Sequence, residues 1–122
     1  YIKISHLKDE IALDEFLENA KVALGVERIK LINPSGVETV KNIAISAGAG
    51  GSFIKKLREY DIDLYLTGDI KFHAALEVRN FAAADIGHFD SEIPVLPILQ
   101  GLIAKTGVEV IIANEHVPWT YI

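Results

Sequence analysis

The sequence predicts an α/β protein in which helices pack on a mostly parallel sheet. Apolar segments of strand length alternate along the chain with segments of helical period, about 10–15 residues long. Three strand segments end in polar, glycine-bearing turns, at residues 48–52, 67–69 and 87–88. Because strand–helix–strand crossovers place successive strands parallel, we expect these three turns to meet at one edge of the sheet, where ligands bind.

The composition is that of an ordinary globular domain. The 122 residues are 50% hydrophobic and 24% charged, with a formal net charge of −5. A chain of this length forms one domain (1–122) and buries about two-thirds of its unfolded surface. The acidic balance leaves no basic stripe, which argues against binding to nucleic acid. No segment approaches a membrane span, so no membrane contact is expected, and a cytoplasmic location is the default.

Two residue types are absent from the sequence. Without cysteine, a disulfide framework, a zinc–thiolate site and a thiol nucleophile are excluded. Methionine is absent too, and the chain begins with Tyr1. We therefore expect a fragment of a longer chain, in which residues 1–36 form a lead-in helix and strand and residues 37–122 form a core with the motifs. A site shared with the remainder of that chain would look incomplete.

The first half of the chain contains a clear amphipathic helix. Apolar residues recur on one face over residues 13–24, and Gly25 stands where a helix C-terminus favours glycine. Turn residues at 33–36 separate two strand segments. The remaining predictions for this half are an edge strand at 1–5, a strand at 27–32 and a buried strand at 42–47.

Strands and helices continue to alternate in the second half. Ser52 can cap a helix that runs to Tyr60, and Asp69 can cap a helix over residues 70–80. The remaining predictions are strands at 63–67, 82–86 and 108–113, a helix from Ser91 or Pro94 to Lys105, and a tail through Trp119 and Tyr121 with no clear type.

Two carboxylate–imidazole pairs follow the predicted strands. Asp69 and His73 are four residues apart, as are His88 and Glu92. Imidazole nitrogen and carboxylate oxygen are suitable ligands for divalent metals. The spacing alone is a weak signal, but the placement after successive strands favours one shared crevice.

Each pair also has a purely structural interpretation. Asp69 can be a helix cap alone, His73 a surface histidine, and Glu92 the first-turn acid that the helix dipole favours. No pattern supports a role for His6 or His116.

The glycine-rich turn allows more than one interpretation. Gly48, Gly50, Gly51 and Ser52 could cradle a phosphate or another anion on free amides at a helix N-terminus. No Gly-Lys-Ser/Thr follows, so the turn is not a P-loop, and Phe53 stands where a dinucleotide fingerprint has its third glycine. A Rossmann-type nucleotide site is therefore a minor alternative, and a plain tight turn explains the glycines equally well.

Three motifs in register resemble one known family. They are AISAGAGGSFI at 44–54, DLYLTGDIKFHAAL at 63–76 and DIGHFDSE at 85–92. In this order and spacing they are similar to the C-terminal half of the NGG-one-interacting-factor-three-like family, whose members are commonly described as type 2 GTP cyclohydrolase I homologues. The resemblance covers nearly the whole chain from about Leu13 onward.

The resemblance implies half of a two-lobed fold with two divalent metal ions in a cleft between similar halves, and assembly into ring-like homo-oligomers. The family motif Gly-His-x-x-x-Glu supplies two metal ligands, which correspond to His88 and Glu92. A second motif lines the same cleft and corresponds to Thr67, Asp69, Lys71 and His73. The other family ligands, a His-His pair and an aspartate, lie in an N-terminal half without a counterpart in this sequence.

Two hypotheses of function follow. The first is a metal-dependent hydrolase of the GTP cyclohydrolase kind, acting on a nucleotide-like molecule, with two ions (Zn, Mn, Fe or Ni) activating water. His73 or Asp69 would move protons, and the glycine turn with Thr67 and Lys71 would hold phosphate. The second is a metal-stabilised binding or regulatory protein without turnover. We expect the fragment alone to be inactive and to hold metal weakly or not at all.

Overall fold

The computed structural model describes residues 1–120 and 122. The predicted α/β class is confirmed, since strands and helices alternate along the described chain. The elements are β1 (Lys3–Ala12), α1 (Leu13–Leu24), β2 (Lys30–Ile32), β3 (Thr39–Ala49), α2 (Ile54–Leu57), β4 (Leu64–Gly68), α3 (Phe72–Ala75), β5 (Ala82–Asp85), α4 (His88–Glu92) and α5 (Val95–Ala104), with a 3-10 turn at Gly51–Phe53.

The five strands form one mixed sheet in the order β1-β3-β4-β5-β2. The central strands β3, β4 and β5 are parallel. The edge strands β1 and β2 pair antiparallel with β3 and β5. The expectation of a mostly parallel sheet therefore holds for its centre and is wrong at both edges, because alternation along the sequence does not encode the direction of an edge strand.

The core has two layers, one on each face of the sheet. Successive residues of β4 alternate between them, since Leu64 and Leu66 face one layer and Tyr65 faces the other. The Leu64 layer packs under α1 through Leu13 and Leu17. Each such buried apolar side chain stabilises the fold by about 1.5–3 kcal/mol. The sheet that positions the strand ends is thus held from both sides.

Helix α1 is the element that the sequence predicts most closely. It spans Leu13–Leu24 and ends at Gly25, whose φ of 68° lies in the left-handed region. The amide of Gly25 donates to the carbonyls of Lys21 and Val22. A residue without a side chain adopts this conformation at little cost, which explains the sharp end of the helix.

The predicted helices after β3 and β4 are much shorter than expected. Ser52 makes no capping hydrogen bond and lies inside the 3-10 turn, and α2 ends at Leu57. Asp69 does not cap α3, because that helix begins at Phe72 with no side-chain cap. The Asp69 carboxylate is instead bonded to His88.

The predicted strand at 108–113 does not form. These residues have no regular secondary structure. The sheet ends with β1 on one side and β2 on the other, and the segment pairs with neither of them. Val108 and Ile111 are consequently exposed. Among residues 1–120 and 122, none of the helices combines the length and apolar character of a transmembrane span.

Helix α5 has an unusual surface. It contains no buried residue although most of its side chains are apolar. Ile98 is 63% exposed and Leu102 is 54% exposed. We call this region the α5 surface, and it consists of Val95, Ile98, Leu99, Leu102 and Ile103. The exposed apolar side chains recur every three or four residues along this helix and lie on one face of it.

Candidate metal-binding site

The turns after the three parallel strands meet at one edge of the sheet. Gly68, at the end of β4, packs so closely against the next turn that a methyl group on it would lie 2.6 Å from the carbonyl oxygen of Gly87. The amide of Ile86 donates to the carbonyl of Thr67 across the same strand ends (2.9 Å). Helix α4, which follows β5, packs against β3 and β4. The convergence of turns expected from the crossover rule is therefore present.

One imidazole lies between two carboxylates at this edge. Nδ1 of His88 is 2.8 Å from Oδ2 of Asp69, and Nε2 is 3.3 Å from Oε1 of Glu92. His88 and Glu92 are one turn apart on α4, whereas Asp69 comes from the turn after β4. All three side chains are between 43% and 55% exposed, so they are open to solvent and to ligands.

The carboxylates control the protonation of the imidazole. The hydrogen bond to Asp69 raises the pKa of His88 above its ordinary value of 6.5, partial burial opposes this effect, and the negative charge of Glu92 adds to it. An ionised carboxylate only accepts hydrogen bonds, so Nδ1 donates to Asp69. The second nitrogen, Nε2, is then the one that faces Glu92.

Asp85 holds both of the turns that carry these groups. Its carboxylate accepts hydrogen bonds from the amides of Ile70 (2.9 Å) and Gly87 (3.1 Å) and pairs with Lys30 of β2 at 2.6 Å. Lys30 also donates to the carbonyl of Ile70. The turn after β4 includes Asp69. This residue has a positive φ of 53°, a conformation that costs energy for a residue with a side chain. Asp85 and Lys30 maintain this conformation.

Sequence reasoning missed Asp85. Its signal was present, because Asp85 ends a strand that is otherwise alanine and is buried on the sheet. A carboxylate in such a place requires partners, and turn amides are the nearest donors.

Gly48 lies directly against the His88–Glu92 pair. A methyl group on Gly48 would be 2.5 Å from Oε1 of Glu92 and 3.3 Å from Nε2 of His88. Its amide donates to Oγ of Ser91 (2.8 Å), and its carbonyl accepts from Oγ1 of Thr67 (3.1 Å). The backbone of Gly48 therefore forms one wall of the pair and is held at both of its polar groups.

A buried cluster of hydroxyl groups supports the glycine turn from below. Ser46 is 2.6 Å from the hydroxyl of Tyr65 and 3.0 Å from that of Thr67. Tyr65 donates to the carbonyl of Gly50, as Thr67 does to that of Gly48. Thr67 was predicted to contact substrate, but its hydroxyl is fully buried and is used to hold the turn. Ser46 and Tyr65 were not predicted, because their role depends on contacts between strands.

The other predicted residues surround this arrangement without joining its hydrogen bonds. Gly50 packs on the hydroxyl cluster and Gly51 packs against α3. Ser52, Lys71 and His73 are exposed, and none of their side chains makes a hydrogen bond or ion pair within residues 1–120 and 122. Their roles in catalysis and substrate binding stay predictions.

A cavity of about 670 Å³ opens beside Asp69 and His88. Its walls come from three segments that are distant in sequence, namely residues 25–30, the turn from Asp85 to Asp90, and the tail at Val117 and Trp119. No sequence pattern predicted this cavity, because nothing in the residues of the tail indicates where the tail packs.

Two atoms of this arrangement, Nε2 of His88 and Oε1 of Glu92, could act as ligands of a metal ion. No group of three or more His, Cys, Asp or Glu side chains in residues 1–120 and 122 is arranged to hold an ion. Asp69 and Glu92 contact opposite nitrogens of the His88 ring, so an ion bound to one nitrogen would lie beside only one of the two carboxylates. The fold and site define an α/β protein with an imidazole–carboxylate pair at the carboxyl ends of its parallel strands.

Comparison with known families identifies this class more closely. The family model described as Duf34/NIF3 (NGG1p interacting factor 3) matches residues 1–118. The chain therefore belongs to the Duf34/NIF3 family, in agreement with the resemblance of its three motifs.

Relatives from bacteria and yeast support the assignment. The chain is 29% identical over 118 residues to a Campylobacter jejuni protein named GTP cyclohydrolase 1 type 2 homolog, covering 95% of this chain and 47% of that protein. It is 28% identical over 122 residues to the NGG1-interacting factor 3 of Saccharomyces cerevisiae, covering 93% of this chain and 42% of that protein. The chain thus spans less than half the length of these relatives.

Solved structures share the fold. A Bacillus cereus protein related to NIF3 matches with a TM-score of 0.77 and 24% identity, over 98% of this chain and 35% of that one. The structure of protein ybgI, of unknown function, matches with a TM-score of 0.86 and 19% identity, over 97% of this chain and 49% of that one. At these identities the likeness shows a common fold.

Proposed function

We propose that this chain supplies half of a dinuclear divalent-metal site, and that the complete protein is a metal-dependent hydrolase of the GTP cyclohydrolase kind acting on a nucleotide-like molecule. The observation that supports this most directly is the 3.3 Å contact between Nε2 of His88 and Oε1 of Glu92. When Nδ1 of a neutral imidazole donates to Asp69, Nε2 carries a lone pair. In that form two acceptors face each other, and a divalent ion between them would take the place of the proton that the raised pKa of His88 favours when no ion is bound.

The donor set fits a divalent ion. Ligands that each lie about 2.1 Å from one ion are separated by about 3.0–3.4 Å in octahedral or tetrahedral geometry, and the observed separation falls in this interval. In metal-bound histidines the N–H of the other ring nitrogen usually donates a hydrogen bond to a carboxylate or a carbonyl. Nδ1 of His88 makes such a bond to Asp69. The glycine at position 48 leaves the space that a side chain would fill.

Each residue of the site has a role in the proposed chemistry. When bound, a divalent ion supplies the Lewis acidity for hydrolysis. Asp69 orients the imidazole of His88, and Glu92 provides a carboxylate oxygen. Exposed His73 is placed on α3 to exchange a proton with solvent or substrate, and Lys71 offers a charge for phosphate.

The remaining metal ligands are proposed to lie outside this chain. Two protein ligands seldom hold an ion tightly, so the chain alone is expected to bind metal weakly or not at all. The match to less than half of the Campylobacter jejuni relative is consistent with a second half that completes the site. The exposed α5 surface supports assembly into a homo-oligomer, and we propose a cytoplasmic location.

A second function, binding without turnover, is favoured by one observation. The yeast relative is named for interaction with another protein rather than for a reaction. In this alternative the metal would stabilise the cleft, and the α5 surface would carry the interaction.

The test uses the complete protein. We expect bound metal by elemental analysis, its loss in His88→Ala, and its retention in His116→Ala, since His116 lies exposed in the tail. Steady-state ring opening of GTP with added Mn, Fe or Zn then separates the two functions. Equal metal content in both variants would contradict the metal site. Intact metal without turnover under any metal would contradict the hydrolase and support the alternative.

A further inference from the structure

We propose that the cavity beside Asp69 and His88 binds a guanine-type base, stacked on Trp119 and recognised through its N–H donors by the carboxylate of Asp90. The inference rests on the proposed function for its assignment of a nucleotide-like substrate, and it places the base at a position different from the glycine turn. It is tested by binding alone, without metal and without turnover.

The size and walls of the cavity suit a flat heterocycle. Its volume of about 670 Å³ lies within the range of about 300–1,000 Å³ found for small-molecule sites. Phe89, Val117 and Trp119 line it, together with Val26 and Ile29 from the opposite segment. Trp119 is 53% exposed, so its indole face is available to a base. Stacking on an aromatic side chain contributes about 1–3 kcal/mol per base.

The polar lining favours hydrogen-bond donors over phosphate. The cavity is bordered by four acidic residues, by His88, and by two basic residues, one lysine and one arginine; the acids are Glu27, Asp69, Asp85 and Asp90. Lys30, one of the two basic residues, is already paired with Asp85. The excess of carboxylates repels an anionic group and attracts N–H donors, so the phosphates of a nucleotide would lie outside the cavity.

Asp90 is the carboxylate in this lining that is both partly buried and unpaired. Asp69 is bonded to His88 and Asp85 to two turn amides, whereas Glu27 is exposed. The Asp90 side chain makes no hydrogen bond or ion pair to any other described residue. It folds back over Gly87, where an added methyl group would lie 2.7 Å from Oδ2. A partly buried acceptor without a donor is a ready recognition group.

Carboxylate recognition selects guanine among the common bases. The N1–H and the 2-amino group of guanine are adjacent donors that match the two oxygens of one carboxylate. Adenine presents no such pair of donors, because its ring nitrogens beside the amino group are acceptors. Inosine keeps the N1–H but lacks the 2-amino group, which makes it a graded probe.

The single tryptophan of the chain reports on this cavity directly. We would titrate the metal-free 122-residue protein with guanosine, inosine and adenosine, following Trp119 fluorescence and confirming affinities by calorimetry. We expect saturable quenching by guanosine, binding of inosine weaker by about tenfold or more, and no saturable binding of adenosine. GTP should bind no more tightly than guanosine, because its phosphates lie outside the acidic cavity.

Variants separate this subsite from non-specific stacking. Asp90→Asn should weaken guanosine binding by about tenfold or more, whereas Asp9→Asn, at an exposed position on β1, should bind like the wild type. Thermal melting of both variants verifies that they fold. Equal affinity for adenosine and guanosine, or unchanged binding by Asp90→Asn, would overturn the inference.

The outcome is independent of the hydrolase test. A complete protein that retains metal and opens GTP but binds no guanosine in this cavity would contradict the subsite alone. A chain that binds guanosine with the stated selectivity, in a protein that shows no turnover, would contradict the hydrolase alone.

Discussion

Asp69 accepts a 2.8 Å hydrogen bond from Nδ1 of His88, and this contact determines which imidazole nitrogen would be left for the proposed metal ion. Nε2 is turned toward Glu92 as a result. The carboxylate comes from a backbone position with positive φ, which Asp85 and Lys30 hold in place. The orientation of one ring therefore depends on three strand ends at once.

Replacing Asp69 tests this orientation. Asn at position 69 retains the side-chain shape but loses the charge that holds His88, so divalent-metal affinity of the complete protein should fall by about 10–100-fold. Competition with a chromogenic chelator measures the change. The control is Asp9→Asn, which alters an exposed carboxylate on β1 and should leave affinity unchanged. Equal affinities for the two variants would contradict the orienting role of Asp69.

Gly48→Ala should abolish metal binding, since the added methyl group would meet Oε1 of Glu92 at 2.5 Å. Gly36→Ala is a closely matched control, because Gly36 has the same φ of 67° but no atom within 4 Å of an added methyl group. Both variants should lose about 1–2 kcal/mol of stability from the backbone strain. Urea denaturation and metal analysis together separate strain from obstruction, and metal loss in both variants would show that strain alone is responsible.

Tyr65→Phe removes the hydroxyl that holds the glycine turn. The Gly50 carbonyl and the Ser46 hydroxyl lose a buried partner, which should cost about 1–3 kcal/mol in the free energy of unfolding. Tyr60→Phe provides the comparison, because Tyr60 is 42% exposed and its hydroxyl makes no hydrogen bond within the described chain. The free energies of unfolding of the two variants, measured by denaturant titration, should therefore differ clearly. Similar stabilities would contradict the anchoring role of the hydroxyl cluster.

The Arg58–Glu77 interaction should make stability depend on pH in acid. The hydrogen bond from Arg58 lowers the pKa of Glu77 below its ordinary value of 4.5, partial burial opposes this effect, and Lys55 adds to it. A lowered folded-state pKa means that the stabilisation is present above pH 4.5 and is lost as the pH falls through the lowered value.

Urea denaturation of wild type and Glu77→Gln at several pH values measures this dependence. The stability difference should be largest near neutrality and should shrink as the pH falls below 4.5. Glu15→Gln, at an exposed position in the first turn of α1, should show a much smaller difference across the same range. A difference for Glu77→Gln that does not change with pH would contradict the assignment.

The sequence predicted what depends on local pattern. The period of residues 13–24 and the glycine after them gave α1 with its correct boundaries. The alternation of strand and helix segments predicted the α/β class. The turns after successive strands predicted that the strand ends converge. The four-residue spacing predicted the contact between His88 and Glu92, which is present at Nε2, but it also paired Asp69 with His73, whereas Asp69 contacts Nδ1 of His88.

The missed features depend on contacts between distant segments. Asp85 and the hydroxyl cluster of Ser46 and Tyr65 are positions on strands, and only the assembled sheet shows what they hold. The strand predicted at 108–113 does not form, because apolar content alone does not indicate whether a segment pairs with a sheet. The cavity beside Asp69 includes Trp119, whose position relative to the sheet no local pattern encodes.

The position of β2 affects how the protein folds as it is synthesised. Lys30–Ile32 pairs with Ala83–Asp85, so this early segment has no partner until the chain has emerged through β5. Leu31, which is 40% exposed even in the finished sheet, has no strand beside it in the meantime. The ion pair between Lys30 and Asp85 joins the same two strands. The Asp69 turn, which this ion pair helps to hold, therefore depends on a contact that cannot form before β5 has been synthesised.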